Sequence, residues 1–275
     1  MTNKNIIALL ITLSFNVSLY AVQCSGPAKP PTVAPVQAST YGFKNLVFDD
    51  EFNSVATISP NNKGNYYWYT WNVYGPTKYL TLKDISVTNG CLTIFTDLTG
   101  SGADLQTVNS ATDIAGTFQH GYIEARIQFN PNDSYVGRTS WPAFWLEDLK
   151  SISQVSPFAE LDVMEAPPAY PTGVTLITTV HQWTRINGQW VAASDVHNKP
   201  NIPTISTNFD YSAFHIYGCL WIPGWVGWYL DNQLVMIVQT GPGTPFTALD
   251  QDRMFVIFGT GQNWSTTIDW IHLWQ

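Results

Sequence analysis

The sequence predicts an all-β fold, in which two sheets form a sandwich or a jelly roll. From Tyr41 onward, short apolar runs alternate with clusters of Gly, Pro, Asn and Asp, and no stretch has sustained helical periodicity. Of the 275 residues, 14% are aromatic and only 12% are charged, which excludes a disordered or coiled-coil protein. Because β-sandwiches often reach this length as one domain, a single large core is expected.

The strand candidates are short runs rich in β-branched and aromatic residues, each bounded by turn-forming residues. One of them contains Asp231-Asn232, and this pair predicts a hairpin turn because both residue types tolerate positive φ. The clearest candidates are NLVFDDEF, CLTIFT, HGYIEARIQF, WPAFWLE, FAELDVMEA, VTLITTVHQW, FHIYGCLWI, VGWYLDNQLVMIV, RMFVIFG and TIDWIHLW.

The first 40 residues are expected to lie outside the folded domain. Residues 1–21 combine one charge at Lys4, a short apolar stretch and the small residue Ala21, which predicts a secretory signal peptide. Residues 22–40 carry four prolines and no aromatic residue, which predicts a tether. The domain then spans residues 41–275 of a secreted or periplasmic protein. Lipidation at Cys24 is not expected, because Gln23 stands where a lipoprotein signal has a small residue.

The other two cysteines, Cys91 and Cys219, both lie in predicted strands, and two alternatives remain open for them. In an oxidising compartment they can pair in a disulfide. Buried thiols also pack as small apolar side chains, so both can equally remain free.

The charge of the chain limits its partners. A net charge of −8 and an isoelectric point near 4.9 disfavour nucleic acids, anionic membranes and polyanionic substrates. We therefore expect a neutral ligand, no nucleic acid and, after removal of the signal peptide, no membrane association. The five histidines show no paired metal-binding spacing, and no G-x-S-x-G run occurs, so zinc and serine-hydrolase chemistry find no support.

The run AELDVMEA carries the most informative acidic residues. Glu160 and Asp162 are two positions apart, so on a strand their side chains leave the same face. Glu165 is three positions beyond Asp162 and on a regular strand would point into the core, where an unpaired carboxylate is costly. One extra residue in a β-bulge at Val163-Met164 returns Glu165 to the acidic face.

With this bulge, the carboxyl groups of Glu160 and Glu165 can approach the ~5 to 5.5 Å separation of a retaining glycosidase. Asp162 stands between them, and three carboxyls this close are expected to raise one or two of their pKa values. The alternative is a strand with one wet face, which alternates acidic and apolar residues for that reason alone. Trp141 and Trp145 favour the first interpretation because sugar rings stack on indole rings, although such pairs also occur in cores.

In its bulged form, Glu-x-Asp-x-x-Glu, this run resembles the signature of glycoside hydrolase family 16, the laminarinase-type enzymes. The resemblance implies a concanavalin A-like jelly roll of two curved antiparallel sheets with the substrate in a concave cleft. It also implies Glu160 as nucleophile, Glu165 as acid/base and Asp162 as the residue that steers protonation, with no cofactor required for catalysis. The similarity extends over VFDDEFN, NGCLTI, HGYIEARIQF, WPAFWLE, TTVHQW, FHIYGCLWIPG, WYLDNQLV and IDWIHLWQ.

The resemblance implies further site residues. His181 lies on a strand similar to one that lines the family's cleft, although a lone His is more often a core residue. Many family members hold a structural Ca²⁺ with groups that match Glu51 and Asp269, although two distant carboxylates are more simply solvated surface acids. The run Ala115-Gly116-Thr117 lacks the Arg that laminarinases commonly carry there, which leaves the glucan linkage open.

The sequence therefore predicts a secreted, retaining endo-glycoside hydrolase that cleaves a β-linked polysaccharide, with β-1,3-glucan as the first expectation. A galactanase acting on agarose or carrageenan is the alternative within the family, although the negative charge would repel sulfated carrageenan. A non-catalytic sugar-binding sandwich is a third interpretation, since a fold does not fix a function, and the complete acid triad argues against it. We expect the protein to be a monomer.

Overall fold

The described part of the chain is almost entirely β-structure, as the sequence predicts. The computed structural model describes residues 29–70, 84–95, 103–129, 142–165, 176–199, 213–260 and 265–275, together with Cys24 and Gly26. The described helices are α1 (Val36–Ser39) and α2 (Leu149–Ile152), with 3-10 turns at Val55–Thr57 and Ala248–Asp250. The strands are β1 (Leu46–Asp50), β2 (Ile85–Thr88), β3 (Cys91–Ile94), β4 (Ala103–Gln106), β5 (Thr117–Phe118), β6 (Gly121–Phe129), β7 (Ala143–Asp148), β8 (Phe158–Glu165), β9 (Leu176–Ile186), β10 (Gln189–Lys199), β11 (His215–Ile222), β12 (Trp225–Leu230), β13 (Gln233–Gln239), β14 (Met254–Thr260) and β15 (Thr266–Trp274).

These strands form two sheets. The eight-stranded sheet has the order β13-β12-β11-β6-β15-β3-β2, and β1 pairs with the C-terminal half of β15. The seven-stranded sheet has the order β10-β9-β8-β7-β14-β4, and β5 also pairs with β14. Every pairing between the described strands is antiparallel, which confirms the predicted two-sheet antiparallel fold. Strand β8 has hydrogen-bonded neighbours on both sides, so its position is well fixed.

The main hydrophobic core contains the inward-facing side chains of both sheets. Leu146 and Leu161 pair directly across β7 and β8 and are fully buried, and Trp221 and Trp228 contribute from the other sheet. Burial of each such side chain contributes about 1.5–3 kcal/mol. Because alternate residues of a strand point to opposite faces, the apolar residues of β8 determine the face to which its acidic residues point.

A second apolar cluster covers the outer face of the eight-stranded sheet. Ala38 in α1 is fully buried and packs with Tyr122, Leu220 and Trp274. The side chain of Gln37 donates a hydrogen bond of 2.9 Å to the carbonyl of Asn232. Part of the expected tether over residues 22–40 is therefore packed on the domain. The small side chain of Ala38 allows this, because it lets a helical turn approach large aromatic groups closely.

The cysteine pairing differs from both alternatives considered for the sequence. A disulfide joins Cys24 to Cys91, while Cys219 is a buried free thiol in the main core. Cys91 therefore neither pairs with Cys219 nor remains free. The bond also occupies the sulfur of Cys24 that a lipid anchor would require.

The predicted hairpin is confirmed. Strands β12 and β13 are joined by Asp231-Asn232, whose φ angles are 47° and 66°. Asp and Asn adopt this left-handed region more readily than other non-glycine residues, so the two-residue turn forms here. Among the described residues, no helix has the length and apolar composition needed to cross a membrane.

Candidate active site

Strand β8 has one apolar and one acidic face. Leu161 and Val163 belong to the main core, whereas Glu160 and Asp162 alternate with them and so point to the outer face of the seven-stranded sheet. This outer face, around Glu160, Asp162 and Glu165, is termed the site face below. The alternation in the sequence therefore places two of the three acids together before any longer-range contact is considered.

A β-bulge brings the third acid to the same face. Asp162 pairs with Thr179 and Glu165 pairs with Ile177, so three steps along β8 match two steps along β9. In the pairing with β7, the extra residue of β8 is Val163. The predicted bulge is therefore confirmed, and it restores the alternation that the spacing of the acids interrupts.

A side chain of the opposite sheet holds the bulged strand. The indole N–H of Trp228 on β12 donates a hydrogen bond of 2.8 Å to the main-chain carbonyl of Asp162. Both residues are buried. A bulge disrupts the sheet ladder locally, and a buried carbonyl without a donor costs about 1–3 kcal/mol. Trp228 therefore stabilises the strand geometry on which the acidic face depends.

Glu160 receives a hydrogen bond from Trp183 on the neighbouring strand. The indole N–H of Trp183 donates to Oε2 of Glu160 at 2.5 Å. Burial raises the pKa of Glu160, the hydrogen bond from Trp183 opposes this rise, and the charge of Glu165 adds to it. Glu160 therefore releases its proton closer to neutral pH than an ordinary glutamate does.

The structure places His181 on the site face, in cross-strand register with Glu160. Its Nδ1 lies 2.6 Å from Oγ of Ser194, and its Nε2 lies 3.4 Å from Oδ2 of Asp162. Burial lowers the pKa of His181 to about 4. Burial, followed by the charges of Glu160 and Glu165, raises the pKa of Asp162 well above its ordinary value. At neutral pH the imidazole of His181 is therefore uncharged, so this contact is not an ion pair.

Trp145 lies on the site face, whereas Trp141 falls outside the described residues. Trp145 pairs with Asp162 on one side and Ile257 on the other. Its side chain packs with Ile257 and Phe255, and the residue is only 7% exposed. The indole ring is therefore largely buried and does not offer an open face on which a sugar ring could stack. Its Nε1 has no hydrogen-bond partner among the described residues.

Asp104 on β4 brings a further carboxyl to the site face. Asp104 pairs with Gly259, Gly259 pairs with Ala143, and Ala143 pairs with Glu165. Along this cross-strand row, only small residues therefore separate the carboxyl group of Asp104 from that of Glu165. A Cβ at Gly259 would lie 2.6 Å from the ring of Trp145 and 2.8 Å from Oδ1 of Asp104. The absence of a side chain at Gly259 therefore leaves the space that the indole ring of Trp145 and the carboxyl group of Asp104 occupy. Burial raises the pKa of Asp104 to about 7.

This raised pKa predicts a pH-dependent stability. The folded protein holds a proton on Asp104 up to about pH 7, whereas the unfolded chain releases it near pH 3.8, the ordinary pKa of an aspartic acid. The free energy of unfolding should therefore fall as the pH rises from 4 to 7. Above pH 7 this decrease should be complete. We expect Asp104→Asn to stabilise the protein at pH 8 relative to the parent, by an amount that disappears at pH 4. Urea unfolding at both pH values measures this, and an equal difference at both would contradict it.

Sequence reasoning missed several residues of the site face. Trp183 lies two positions beyond His181 and Glu147 lies two positions beyond Trp145, so strand alternation already predicts a shared face for each pair. No comparable signal identifies Ser194 on β10 or Asp104 on β4, because the register between strands depends on the whole sheet.

The two carboxylates predicted for calcium have other partners. The guanidinium of Arg126 pairs with Oδ2 of Asp269, and Nε2 of His272 lies 2.6 Å from Oε1 of Glu51. Burial opposes protonation of His272, but its contacts with Glu124 and Glu51 outweigh this and raise its pKa. Both carboxylates are buried, so the expectation that they are solvated surface acids is wrong. Because a guanidinium and an imidazole already engage these two carboxylates, they do not fit a Ca²⁺ site, which requires 6 to 8 oxygen ligands.

Two other groups of described residues bring possible metal ligands together. Cys24 and Cys91 lie beside Asp269, but their sulfurs are joined in the disulfide. Donor atoms of Glu160, Asp162 and His181 lie within 4.8 Å of one another. This second group consists of side chains of the site face.

The chain is similar to known proteins in sequence and in fold. Residues 76–272 match the family model for glycosyl hydrolases family 16. The endo-1,3-1,4-β-glycanase ExsH of Rhizobium meliloti is 31% identical over 193 residues, which cover 67% of this chain and 36% of that protein. The chain thus matches about a third of the length of this curated relative.

Solved structures show a similar fold. The laminarinase catalytic domain of Thermotoga maritima MSB8 has a TM-score of 0.58 and 22% identity, covering 84% of this chain and 98% of that chain. A non-specific endo-β-1,3(4)-glucanase from family GH16, co-crystallised with 1,3-β-D-cellotriosyl-glucose, has a TM-score of 0.59 and 17% identity, covering 91% and 100%. Since the family model matches well over half of the chain, including the bulged acidic strand and parts of both sheets, the chain belongs to glycosyl hydrolases family 16.

Proposed function

We propose that this chain is a retaining endo-β-glucanase that cleaves neutral β-1,3-glucan or mixed β-1,3-1,4-glucan. The observation that carries the proposal is the β-bulge, because it gathers Glu160, Asp162 and Glu165 on one face of β8. Membership of the family supports glycoside hydrolysis. The names of a curated endo-1,3-1,4-β-glycanase and of a laminarinase with the same fold support β-glucan as the substrate.

In the first step, the carboxylate of Glu160 attacks the anomeric carbon of the bound sugar, while Glu165 gives its proton to the glycosidic oxygen. The bond between the anomeric carbon and that oxygen breaks, the leaving sugar departs as an alcohol, and a glycosyl ester forms on Glu160. In the second step, Glu165 takes a proton from water, whose oxygen attacks the anomeric carbon and releases Glu160. Two inversions leave the β configuration at the new reducing end.

The surroundings of the acids suit these roles. A hydrogen bond to a carboxylate favours its charged form, so the N–H of Trp183 prepares Glu160 for attack. Burial and the charges of the two glutamates raise the pKa of Asp162, so this residue takes up a proton more readily than an ordinary aspartate. A retaining mechanism requires one of Glu160 and Glu165 to be ionised and the other protonated.

The charge of the protein favours a neutral substrate. The chain carries a net charge of −8 at pH 7. A sulfated galactan would be repelled by this negative charge, whereas a neutral glucan would not.

We also propose that the protein is exported and acts as a monomer. The disulfide between Cys24 and Cys91 supports export, because disulfides persist in oxidising compartments.

A substrate panel tests this proposal. Reducing sugar should be released from laminarin or lichenan and not from κ-carrageenan, and Glu165→Gln should release little from any of them. Proton NMR during hydrolysis should show the β anomer of the new reducing end before mutarotation supplies the α anomer. Release from agarose alone would identify a galactanase instead. Early appearance of the α anomer would exclude retention.

A further inference from the structure

Glu147 is an acidic residue of the site face that the mechanism above does not use. It lies near the end of β7, pairs directly with Glu160 of β8, and is only 1% exposed. Like charges directly opposite each other destabilise a sheet, and burial of a carboxylate adds to the cost. A glutamate at this position is therefore unfavourable for folding alone, and functional sites are where such local violations concentrate.

A hydroxyl group holds the carboxyl of Glu147 in place. Oγ of Ser151 on α2 donates a hydrogen bond of 2.9 Å to Oε2 of Glu147, and Ser151 is itself buried. The helical turn begins at the end of β7, where Oδ1 of Asp148 caps it by accepting a hydrogen bond from the main-chain N–H of Lys150. Because the helical turn begins directly after this cap, it places the side chain of Ser151 next to Glu147, the residue that precedes the cap.

We propose that Glu147 is a positioning residue of the catalytic centre, a fourth carboxyl that acts through Glu160 and Asp162 and adjusts how tightly they hold protons. The inference rests on the proposed function, since it assigns Glu147 to the same acid centre. It does not require Glu147 to contact the substrate.

The charges around Glu147 are consistent with this role. Its negative charge contributes to the rise in the pKa of Asp162, after burial and the charges of Glu160 and Glu165. His181 does not offset that charge at neutral pH, because burial keeps its imidazole uncharged. At closest cross-strand distances of roughly 5 Å, a like charge is expected to change the proton affinity of a neighbouring carboxyl by about one pH unit or more.

Among the described residues, Glu147 on β7 is flanked by β8 and β14 and is followed by α2. On β14 its cross-strand neighbour is the uncharged Phe255. The amine of Lys150 on α2 is directed to Asp148 and Asp252. The titratable groups of β8 and β9 nearest to Glu147 in the sheet register are Glu160, Asp162 and His181, whereas Glu165 pairs with Ala143 at the other end of β7.

The test uses Glu147→Gln, which keeps an oxygen acceptor for Ser151 and removes the charge. Both limbs of the kcat/KM profile against pH should move to lower pH by about one unit, because loss of a negative charge lowers the proton affinity of the remaining acids. The carboxyl ¹³C resonance of Asp162 should titrate at correspondingly lower pH. Ser151→Ala should shift both measurements in the same direction, because Glu147 loses the donor that favours its charged form.

Ser153→Ala is the matched control, since Ser153 is an exposed serine at the end of the same helical turn. It should leave the profile and the titration unchanged. If thermal melts show that Glu147→Gln does not fold, the pH profile and the Asp162 titration of Ser151→Ala provide the test. Unchanged pH profiles and unchanged titration in the folded variants would overturn the role of Glu147. Failure of the parent to cleave any β-glucan would overturn the proposed function instead, and the ¹³C titration would still test the coupling.

Discussion

Glu160→Gln is expected to abolish glucan hydrolysis, with kcat reduced by at least about a thousandfold. The amide has nearly the size of the carboxyl but cannot form the glycosyl ester. It retains an oxygen that can accept the hydrogen bond from Trp183, so oligosaccharide binding should survive. Initial rates on laminarin or lichenan, together with calorimetric titration of an oligosaccharide, measure the two effects separately.

Thermal stability provides the control for this variant. Burial raises the pKa of Glu160, so ionisation of this carboxyl opposes folding at alkaline pH. Glu160→Gln should therefore melt at the same temperature as the parent or higher at pH 8. A folded variant that keeps the parent rate would contradict the assignment of Glu160 as nucleophile.

Trp228→Phe is expected to lower the free energy of unfolding and also reduce activity. It removes the N–H that satisfies the main-chain carbonyl of Asp162, at a cost of about 1–3 kcal/mol in addition to the lost packing. Because that carbonyl lies next to the bulge, the orientation of Glu165 should become less well fixed. We expect kcat to fall by about tenfold, measured alongside urea unfolding.

Trp221→Phe is the matched control for the loss of indole volume. Trp221 is equally buried in the same sheet, but its Nε1 finds no hydrogen-bond partner within the described ranges. This control should lose the packing contribution and keep its activity. Equal losses of stability and activity in the two variants would show that the hydrogen bond to Asp162 does not hold the site.

The features predicted from the sequence are those encoded locally. The run AELDVMEA contains both the alternation that separates acidic from apolar residues and the interruption that requires a bulge, so it predicts the local geometry of β8. The hairpin at Asp231-Asn232 is predictable for the same reason, because two adjacent residues determine its backbone conformation. Sheet order and register could not be derived in this way.

The features that escaped prediction depend on distant parts of the chain. The disulfide joins Cys24 to Cys91 across 67 positions, and it brings in a segment that composition alone assigns to a tether. Ser194 reaches His181 only through the register of β9 and β10. The ionic partners of the two carboxylates proposed for calcium likewise come from other parts of the eight-stranded sheet.

Covalent trapping tests the central claim most directly. A 2-deoxy-2-fluoro-β-glucosyl oligosaccharide with a good leaving group should form the glycosyl ester and release it slowly, because fluorine at C2 destabilises the oxocarbenium-like transition state of the second step. Mass spectrometry of the intact protein should then show one added glycosyl group, and peptide mapping should place it on Glu160. An active enzyme that acquires no label, or one labelled at Glu165 instead, would contradict the account.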